Sequence, residues 1–561
     1  MKSDITRDTF AAGKHFSRVI RQQGRVDLDA DSNEQTSILL HYLRTLALDL
    51  IGPYAAPVLA AGFRLSKDAN DSLSISAGRY YVDGILVENE TPVLYTDQPY
   101  THLADDDAFK KALISKLNAL YWVYLDVWEQ HVTSIEDDSI REKALGGPDT
   151  CSRAQVMWQV RALDVGDTAR ADITNKRREF LTNKLTTLET QLSTATSNLT
   201  KAKLQQEIDK VNNQLAILDK PEPQDLSTGC AFPLDYLLPV SDASMGARVD
   251  PGAKIVDACV MSPDSKFTGS ENQLYRVEVH RGGVVGDATI KWSRDNGSRA
   301  IAWTNSVGFD LEVANARDFA AGNWVELSDE VSELRGLPGV LARLTKVEGA
   351  TLSVDPESVG GDPNAIHWNE DLINPKVRRW DHFETEDTDL QDDGSILIQE
   401  TPIGTPDDAA TWMDLEDGIQ IQFAAGGEYR TGDYWLIPAR VATGNIEWPA
   451  PESDTIASFT AQLAPNGVVH HYAPLGFVDW PNGAIRIESC NCEFEPLSSC
   501  FASGSIAVGA SLLRNGQILF RQDRQRTTAT AARRPTRVTT TTERTASKAT
   551  TKRSTKKGGG T

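Results

Sequence analysis

The strongest periodic signal lies near the start of the chain. Ile38, Leu39, Tyr42, Leu43, Leu46, Ala47 and Leu50 recur at intervals of three and four, the signature of a helix with one apolar face. Asp31 or Ser32 is placed to cap it, with Glu34 or Gln35 close enough to reach back, and Gly52-Pro53 ends it. A face of that kind must pack on something. The pattern then changes to alternation. Leu73-Ser74-Ile75-Ser76 and Arg79-Tyr80-Tyr81-Val82 read as strands, and Asp83-Gly84 turns the second into Ile85-Leu86-Val87. The run from Tyr121 to Trp128 is aromatic, β-branched and long enough for a sheet centre.

Between about residues 173 and 218 there is no Gly, Pro or Trp. Leu181, Leu185, Leu188 and Leu192 keep a helical rhythm, as do Leu204, Ile208, Val211, Leu215 and Leu218. The break between them predicts a helical hairpin or one discontinuous coiled-coil helix. From about 229 to 518, short strand-like runs alternate with Gly, Asn, Asp and Pro turns, as in β-sandwich and barrel modules. The fold class expected is therefore mainly β and multidomain, with an N-terminal amphipathic helix, a helical-hairpin or coiled-coil insertion and a disordered basic C-terminal tail. The expected divisions are 1–100 (helix and small β unit), 101–171 with 221–260 (a β module interrupted by the insertion at 172–220), 261–375, 376–523 and the tail 524–561.

Composition narrows the functional classes. A chain of 561 residues with 12 Trp and a hydrophobic fraction of 40% can bury large cores. It holds no apolar run of about 18 residues, and Lys2, Asp4, Arg7 and Lys14 occupy the place of a signal peptide's apolar segment. Six Cys are too few for a disulfide scaffold, so a reducing, cytoplasmic setting with free thiols is expected. The net charge of −22 conceals a tail of +10 at 524–561 and a body of −32. So acidic a body does not suit general nucleic-acid binding; the tail is the segment that could meet an acidic partner, anionic lipid or nucleic acid.

Catalytic constellations are not apparent. There is no P-loop, nucleophile elbow, His-Glu-x-x-His or zinc-finger Cys spacing, and no cofactor is called for. The pair His470-His471 would point to opposite faces of a strand. Asp389, Asp393 and Glu400 match the first, fifth and twelfth positions of a calcium loop, with Gly394 at the sixth; the competing reading is a hairpin turning at Asp393-Gly394. Cys490, Cys492 and Cys500 could hold zinc with a fourth ligand such as Cys230, or be buried thiols.

Several segments together carry a resemblance. They are Gly24-Arg25-Val26-Asp27-Leu28-Asp29-Ala30-Asp31-Ser32-Asn33-Glu34-Gln35, Gly78-Arg79-Tyr80-Tyr81-Val82-Asp83-Gly84 and Tyr124-Leu125-Asp126-Val127-Trp128-Glu129. Others are Lys291-Trp292-Ser293-Arg294-Asp295-Asn296-Gly297-Ser298, Arg378-Arg379-Trp380-Asp381 and Gly432-Asp433-Tyr434-Trp435-Leu436-Ile437-Pro438-Ala439-Arg440, continuing to Glu447-Trp448-Pro449. Over about residues 1–497 this set resembles an uncharacterised bacterial family found with phage-tail-like contractile injection systems. The first two motifs are also similar to the start of phage baseplate and tail-fibre proteins. The resemblance implies a structural, baseplate-associated component that meets other particle proteins of baseplate, spike or sheath, usually as a homo-oligomer, and leaves the cell only within the particle. It carries over no catalytic residue.

Residues of these motifs are the candidates for interface or structural roles: Arg25, Asp29, Asn33, Trp128, Trp292, Arg294, Asp295, Asn296, Arg378, Arg379, Trp380, Arg440 and Trp448. Arginines beside aromatics in an acidic chain suit carboxylate pairing, inside the fold or across a subunit contact. The rival readings are a carbohydrate- or surface-binding module at a particle tip, and a particle-borne hydrolase or cargo effector.

Overall fold

The computed structural model describes residues 1–68, 71–100, 108–115, 119–165, 167–194, 198–218, 230, 241, 243–250, 267–360, 366–384, 390–401, 411–449 and 461–495. The 524–561 tail and Cys500 lie outside them. The described residues all belong to one compact unit, Met1–Pro496, which is mainly β.

The first 28 residues form an extended arm with a single short 3-10 turn, and helix α1 follows at Asp29–Ile51. This helix begins two residues before the expected cap. Its flanking residue Leu28 offers no capping side chain; the carboxylate of Asp29 instead accepts from the arm, from Thr6 N at 2.8 Å and Thr6 Oγ1 at 2.7 Å. Gly52, at φ 94°, closes the helix by donating its N–H to the Leu48 carbonyl. The hairpin Gly78–Val82/Ile85–Asn89 then lies against it. A Cβ on Gly84 would come within 2.2 Å of the Arg44 carbonyl oxygen, so this approach requires glycine.

Two small sheets grow from this region. One orders Glu493–Phe494, Tyr54–Pro57, Gly78–Val82 and Ile85–Asn89; the other orders Leu65–Lys67, Leu73–Ile75 and Val93–Leu94. They share an apolar core with a sheet of long strands, Arg486–Ser489, His470–Asp479, Tyr121–Val132 and Arg153–Asp164. The 12 residues of Tyr121–Val132 sit at its centre, as the aromatic and β-branched run implies.

The insertion is two helices, α2 (Asp167–Thr194) and α3 (Asn198–Leu218), joined through a seam of Leu181, Leu188, Leu204, Ile208 and Val211. It leaves the long-strand sheet after Asp164. Cys230, beyond its far end, is disulfide-bonded to Cys490 beside the same sheet. The expectation of free thiols is thus corrected for this pair: the two sulfurs converge across 260 residues of sequence, a proximity no local spacing announces. Cys151 and Cys492 are free and exposed.

The remaining chain builds a sandwich with a barrel set into it. One sheet orders Ile396–Leu397, Thr289–Ser293, Gln273–Arg281, Tyr434–Arg440 and Asn445–Ile446. The facing sheet is built on Ile419–Ala424 and includes Met245–Val249, with Tyr275, Val277, Ile290, Trp292, Ile421 and Trp435 between them. The barrel orders Ala300–Val307, Asp310–Val313, Thr351–Val354, Val340–Glu348, Trp324–Ser328 and Lys376–Trp380 around its own apolar interior. Strand pairing crosses the divisions expected from sequence. His470–Asp479 joins a sheet with Tyr121–Val132, and Lys376–Trp380 closes the barrel instead of opening a C-terminal module. Neighbourhood in sequence could not reveal pairings separated by more than 300 residues.

Candidate functional site

Three strands of the junction between sandwich and barrel obey the period of two with an unusual outcome. In Gln273–Arg281, Tyr275, Val277 and Val279 enter the sandwich core, while Arg276, Glu278 and His280 take the other face. In Thr289–Ser293, Ile290 and Trp292 are core and Lys291 is opposite; in Lys376–Trp380, Val377 fills the barrel while Lys376, Arg378 and Trp380 face away. Such polar faces normally meet water. Here barrel, sandwich and arm cover them, and Arg276, Glu278, Lys291, Glu326, Lys376 and Arg378 are all buried.

Burial of so many charges is tolerable only if they satisfy one another. Glu278 receives Arg276 Nε at 2.6 Å, Lys2 Nζ at 2.9 Å and Lys291 Nζ at 3.4 Å. Lys291 also pairs with Glu326, whose other oxygen accepts Trp380 Nε1–H at 2.9 Å. Lys376 bridges Glu136 and Glu333, and Arg378 binds the Gly297 carbonyl with Glu333 at 3.6 Å. Burial alone would raise these carboxyl pKa values. The surrounding ammonium and guanidinium groups outweigh it, holding Glu278 well below the carboxylate range and Glu326 and Glu333 at about 2. The histidines respond to burial in the opposite direction: His131 and His382 are lowered to about 3 and His280 to about 4.

The arm ends inside this network. Asn296, at φ 58° in its turn, donates through Nδ2 to the Met1 and Ser3 carbonyls at 3.1 and 2.8 Å and accepts from Arg276 Nη1 at 3.2 Å. The Met1 amino group donates to Tyr434 Oη at 2.8 Å. A cavity of about 440 Å3 remains at this junction, walled in part by Trp128, His131, Glu136, Arg430 and His470. It brings ionisable groups together, and its Glu278, Glu326 and Glu333 are held as anions by cations already in place.

Most of the motif residues converge near this junction. Arg294 binds Glu416 through two nitrogens at 2.9 and 2.6 Å. Asp295 receives Ser293 Oγ at 2.7 Å, Arg299 Nε at 3.0 Å and Arg379 Nη2 at 2.8 Å. Arg440 binds Glu447 at 2.9 Å and the Thr6 carbonyl at 3.0 Å, tying down the arm. Trp292 is in the sandwich core, Trp128 stacks on His470, and Trp448 donates to the Ala461 carbonyl at 2.8 Å. Arg25 and Asn33 stand apart, exposed before and on α1. Arg294, Arg378, Arg379 and Arg440 are occupied by partners within the chain.

Among the described residues, neither cation reading forms a cluster. Asp393 receives the Ser395 backbone N–H at 3.1 Å and pairs with Arg281 at 2.8 Å, at a hairpin where Gly394 has φ 77°. Glu400 accepts from Gly426 N at 2.8 Å and Tyr429 Oη at 2.9 Å, on another sheet. Asp389 lies outside the described residues. Asp393 and Glu400 are therefore divided between a turn and a strand of another sheet. The thiol cluster loses Cys490 to its disulfide, and no group of three His, Cys, Asp or Glu suited to a metal occurs among the described residues.

The other notable surface is α1. Its face toward the body is narrow: Ala30 and Ile38 are buried, Arg44 pairs with Glu129 at 2.8 Å, and Glu34, Gln35 and His41 meet the arm through Thr9, Val19 and Phe10. The rest of the apolar stripe is uncovered. Tyr42 is 68% exposed, Leu43 and Leu50 59%, and Leu39, Leu40, Leu46 and Leu48 are exposed as well. The expectation that the greasy face packs is met only by Ile38. No signal in the sequence distinguished packing within the chain from packing outside it.

With this geometry in place, the family can be stated. The model of a family of unknown function, DUF6519, matches residues 1–560. The chain belongs to that family. No curated protein matches it. Among solved structures it is similar to one titled "Crystal structure of TssK", at 10% sequence identity and a TM-score of 0.14, with 65% of this chain and 98% of that chain covered. A likeness of that size establishes neither fold nor role. Among the described residues of this DUF6519 member, no helix is long and apolar enough to cross a membrane.

Proposed function

We propose that this DUF6519 protein is a structural component of a phage-tail-like injection particle, near its baseplate, and that it works by protein–protein contact without catalysis. The observation that carries the reading is the uncovered apolar face of α1. Isolated exposed leucines are ordinary; a row of them on one long helix is a contact surface. Two further features support it. The charged residues at the junction are committed to one another, which suits a rigid part. The motif set from Gly24 to Pro449 resembles proteins encoded with such particles.

The test is recovery of the protein, at native expression level, from a host that encodes it. Sheath, tube or baseplate proteins should accompany it through size fractionation. A free protein with hydrolytic or sugar-binding activity and no particle association would overturn the proposal.

A further inference from the structure

The cavity at the junction holds charge that the chain itself does not use up. Its volume of about 440 Å3 is that of a pocket for a small organic ligand. Leu337, Val468 and Val469 on its wall are exposed, so it opens to solvent. Glu129, Glu136, Glu278, Glu326 and Glu333 are each paired with a cation from the same wall. Among the described residues, the guanidinium of Arg430 is left without a hydrogen bond or ion pair. Asp433 closes the same turn, its N–H donating to the Arg430 carbonyl at 3.1 Å, yet no ion pair joins the two side chains. The Asp433 Oδ2 is buried, and burial raises the carboxyl's pKa, which weakens its hold on the guanidinium.

His470, on the same wall, is held from behind. Its Nδ1–H donates to the buried carboxylate of Asp126 at 2.7 Å, and its ring stacks on Trp128 at 5.2 Å and on Tyr472 at 6.1 Å. With Nδ1 committed as a donor, Nε2 is the atom left to face a ligand, and as imidazolium it donates to an anion. We propose that this cavity binds a small organic anion, with Arg430 and His470 holding its carboxylate or phosphate group.

Two observations select the ligand. In a chain of net charge −22, an unpaired arginine would ordinarily meet a carboxylate; Arg430 stands on a concave wall without one, so the ligand supplies it. The apolar part of the wall, Trp128 with Val468 and Val469, suits a carbon skeleton better than a bare ion.

The inference neither needs the assembly reading nor supports it. The full-length protein is titrated calorimetrically at constant ionic strength with phenyl phosphate, benzoate and inorganic phosphate, each up to about 10 mM. The wild type should bind phenyl phosphate or benzoate at one site, and the tighter of the two identifies the head group. Inorganic phosphate should bind at least about 3-fold more weakly, because it leaves the apolar wall unfilled. Arg430→Gln should weaken binding by about 10-fold or more, and Arg430→Lys, which keeps the charge, by less. His470→Gln should weaken it by about 3- to 10-fold. Arg317→Gln, at an exposed position outside the cavity, should bind as the wild type does. Since Arg430→Gln breaks no ion pair, its thermal midpoint without ligand should be unchanged.

Absence of binding by both aromatic anions overturns the proposal and leaves the cavity to water. So does binding undiminished in Arg430→Gln, or lost equally in Arg317→Gln, which would be general attraction to surface cations. Inorganic phosphate bound as tightly as the better aromatic anion overturns the organic character of the ligand.

Discussion

Replacing Glu278 with Gln isolates the junction's electrostatics, because the amide keeps the shape and removes the charge. Three cations contact this carboxylate in the native protein, Arg276 at 2.6 Å, Lys2 at 2.9 Å and Lys291 at 3.4 Å. Breaking a buried pair by removing one partner costs roughly 3–5 kcal/mol, since the other charge is left without compensation. The losses here are unequal. Lys291 keeps Glu326, and Arg276 keeps Asn296 and the Met1 carbonyl. Lys2 loses the carboxylate it pairs with but is the most exposed of the three. The expected cost is therefore about 3 kcal/mol, at the low end of that range.

A protein with several cores need not unfold in one step, so the measurement should be local. Hydrogen exchange across Gln273–Arg281 reports the opening of this strand, and about 3 kcal/mol corresponds to roughly 100-fold faster exchange. Adding Lys2→Met to the variant should recover part of the loss, since it removes one stranded cation. A surface control, Glu348→Gln, should leave exchange unchanged, because Lys346 and Glu348 are both exposed. An acceleration below about 5-fold for Glu278→Gln would mean that the cations are solvated in place, and the account of the junction would be wrong.

Acid provides a second handle. His131 and His382 have pKa values near 3 in the folded chain and about 6.5 when unfolded, so the unfolded state takes up protons first. Each contributes stability that is whole above about pH 6.5 and falls by roughly 2 kcal/mol between pH 7 and 5; His382→Gln should flatten that slope in urea titrations, and an unaltered slope would refute the assignment. The depressed glutamates act lower, their contribution being present above about pH 4.3 and lost only toward pH 2. Gly394→Ala puts a Cβ 2.2 Å from the Trp324 ring at φ 77°, so the near-ultraviolet circular dichroism and thermal midpoint of the barrel should both change, whereas a silent variant would mean the turn rearranges freely. On non-reducing gels the native chain should migrate faster than its Cys490→Ser variant, as the 260-residue loop between the bonded cysteines predicts; identical migration would contradict the bond.

What was legible in the sequence was local. Ile38 to Leu50 announced a helix, Asp83-Gly84 a hairpin and the Gly-free stretch either a helical hairpin or one discontinuous helix, because each depends on residues within a few turns of one another. The junction was opaque for a physical reason. Alternation in Tyr275-Arg276-Val277-Glu278-Val279-His280 specifies a strand with two unlike faces and cannot say what lies on the polar one. Covering it took the barrel, Glu136 from the turn after Tyr121–Val132 and Lys2 from the arm, contributions separated by up to 374 residues, from Lys2 to Lys376. The clustered arginines of the motifs were visible; that Asn296 receives the arm was not.

The same distinction separates the two surfaces on which the functional reading depends. A polar strand face and an apolar helix face are each incomplete in sequence, and each needs a cover. The strand face finds its cover inside the chain, and the result is a network whose charges are committed to one another, as Glu278 is to Arg276 at 2.6 Å and Arg378 to Glu333 at 3.6 Å. The helix face finds only Ile38 and Ala30 buried, leaving Leu39, Tyr42, Leu43, Leu46 and Leu50 in water. Exposing such a row costs the isolated chain solvation free energy without stabilising its fold, and this supports the proposed reading of the helix face as a contact surface. The junction gives that contact a firm base: α1 is fastened to the body by Arg44–Glu129 and to the arm by Asp29–Thr6, while the arm is itself anchored through Asn296 and Arg440. Load applied to the helix would therefore pass through the arm into the sandwich and barrel. This coupling predicts that Asn296→Ala, which releases the start of the arm, will speed exchange at the first turn of α1 while leaving its leucine face unaltered; no change at that turn would show the helix to be held by the body alone.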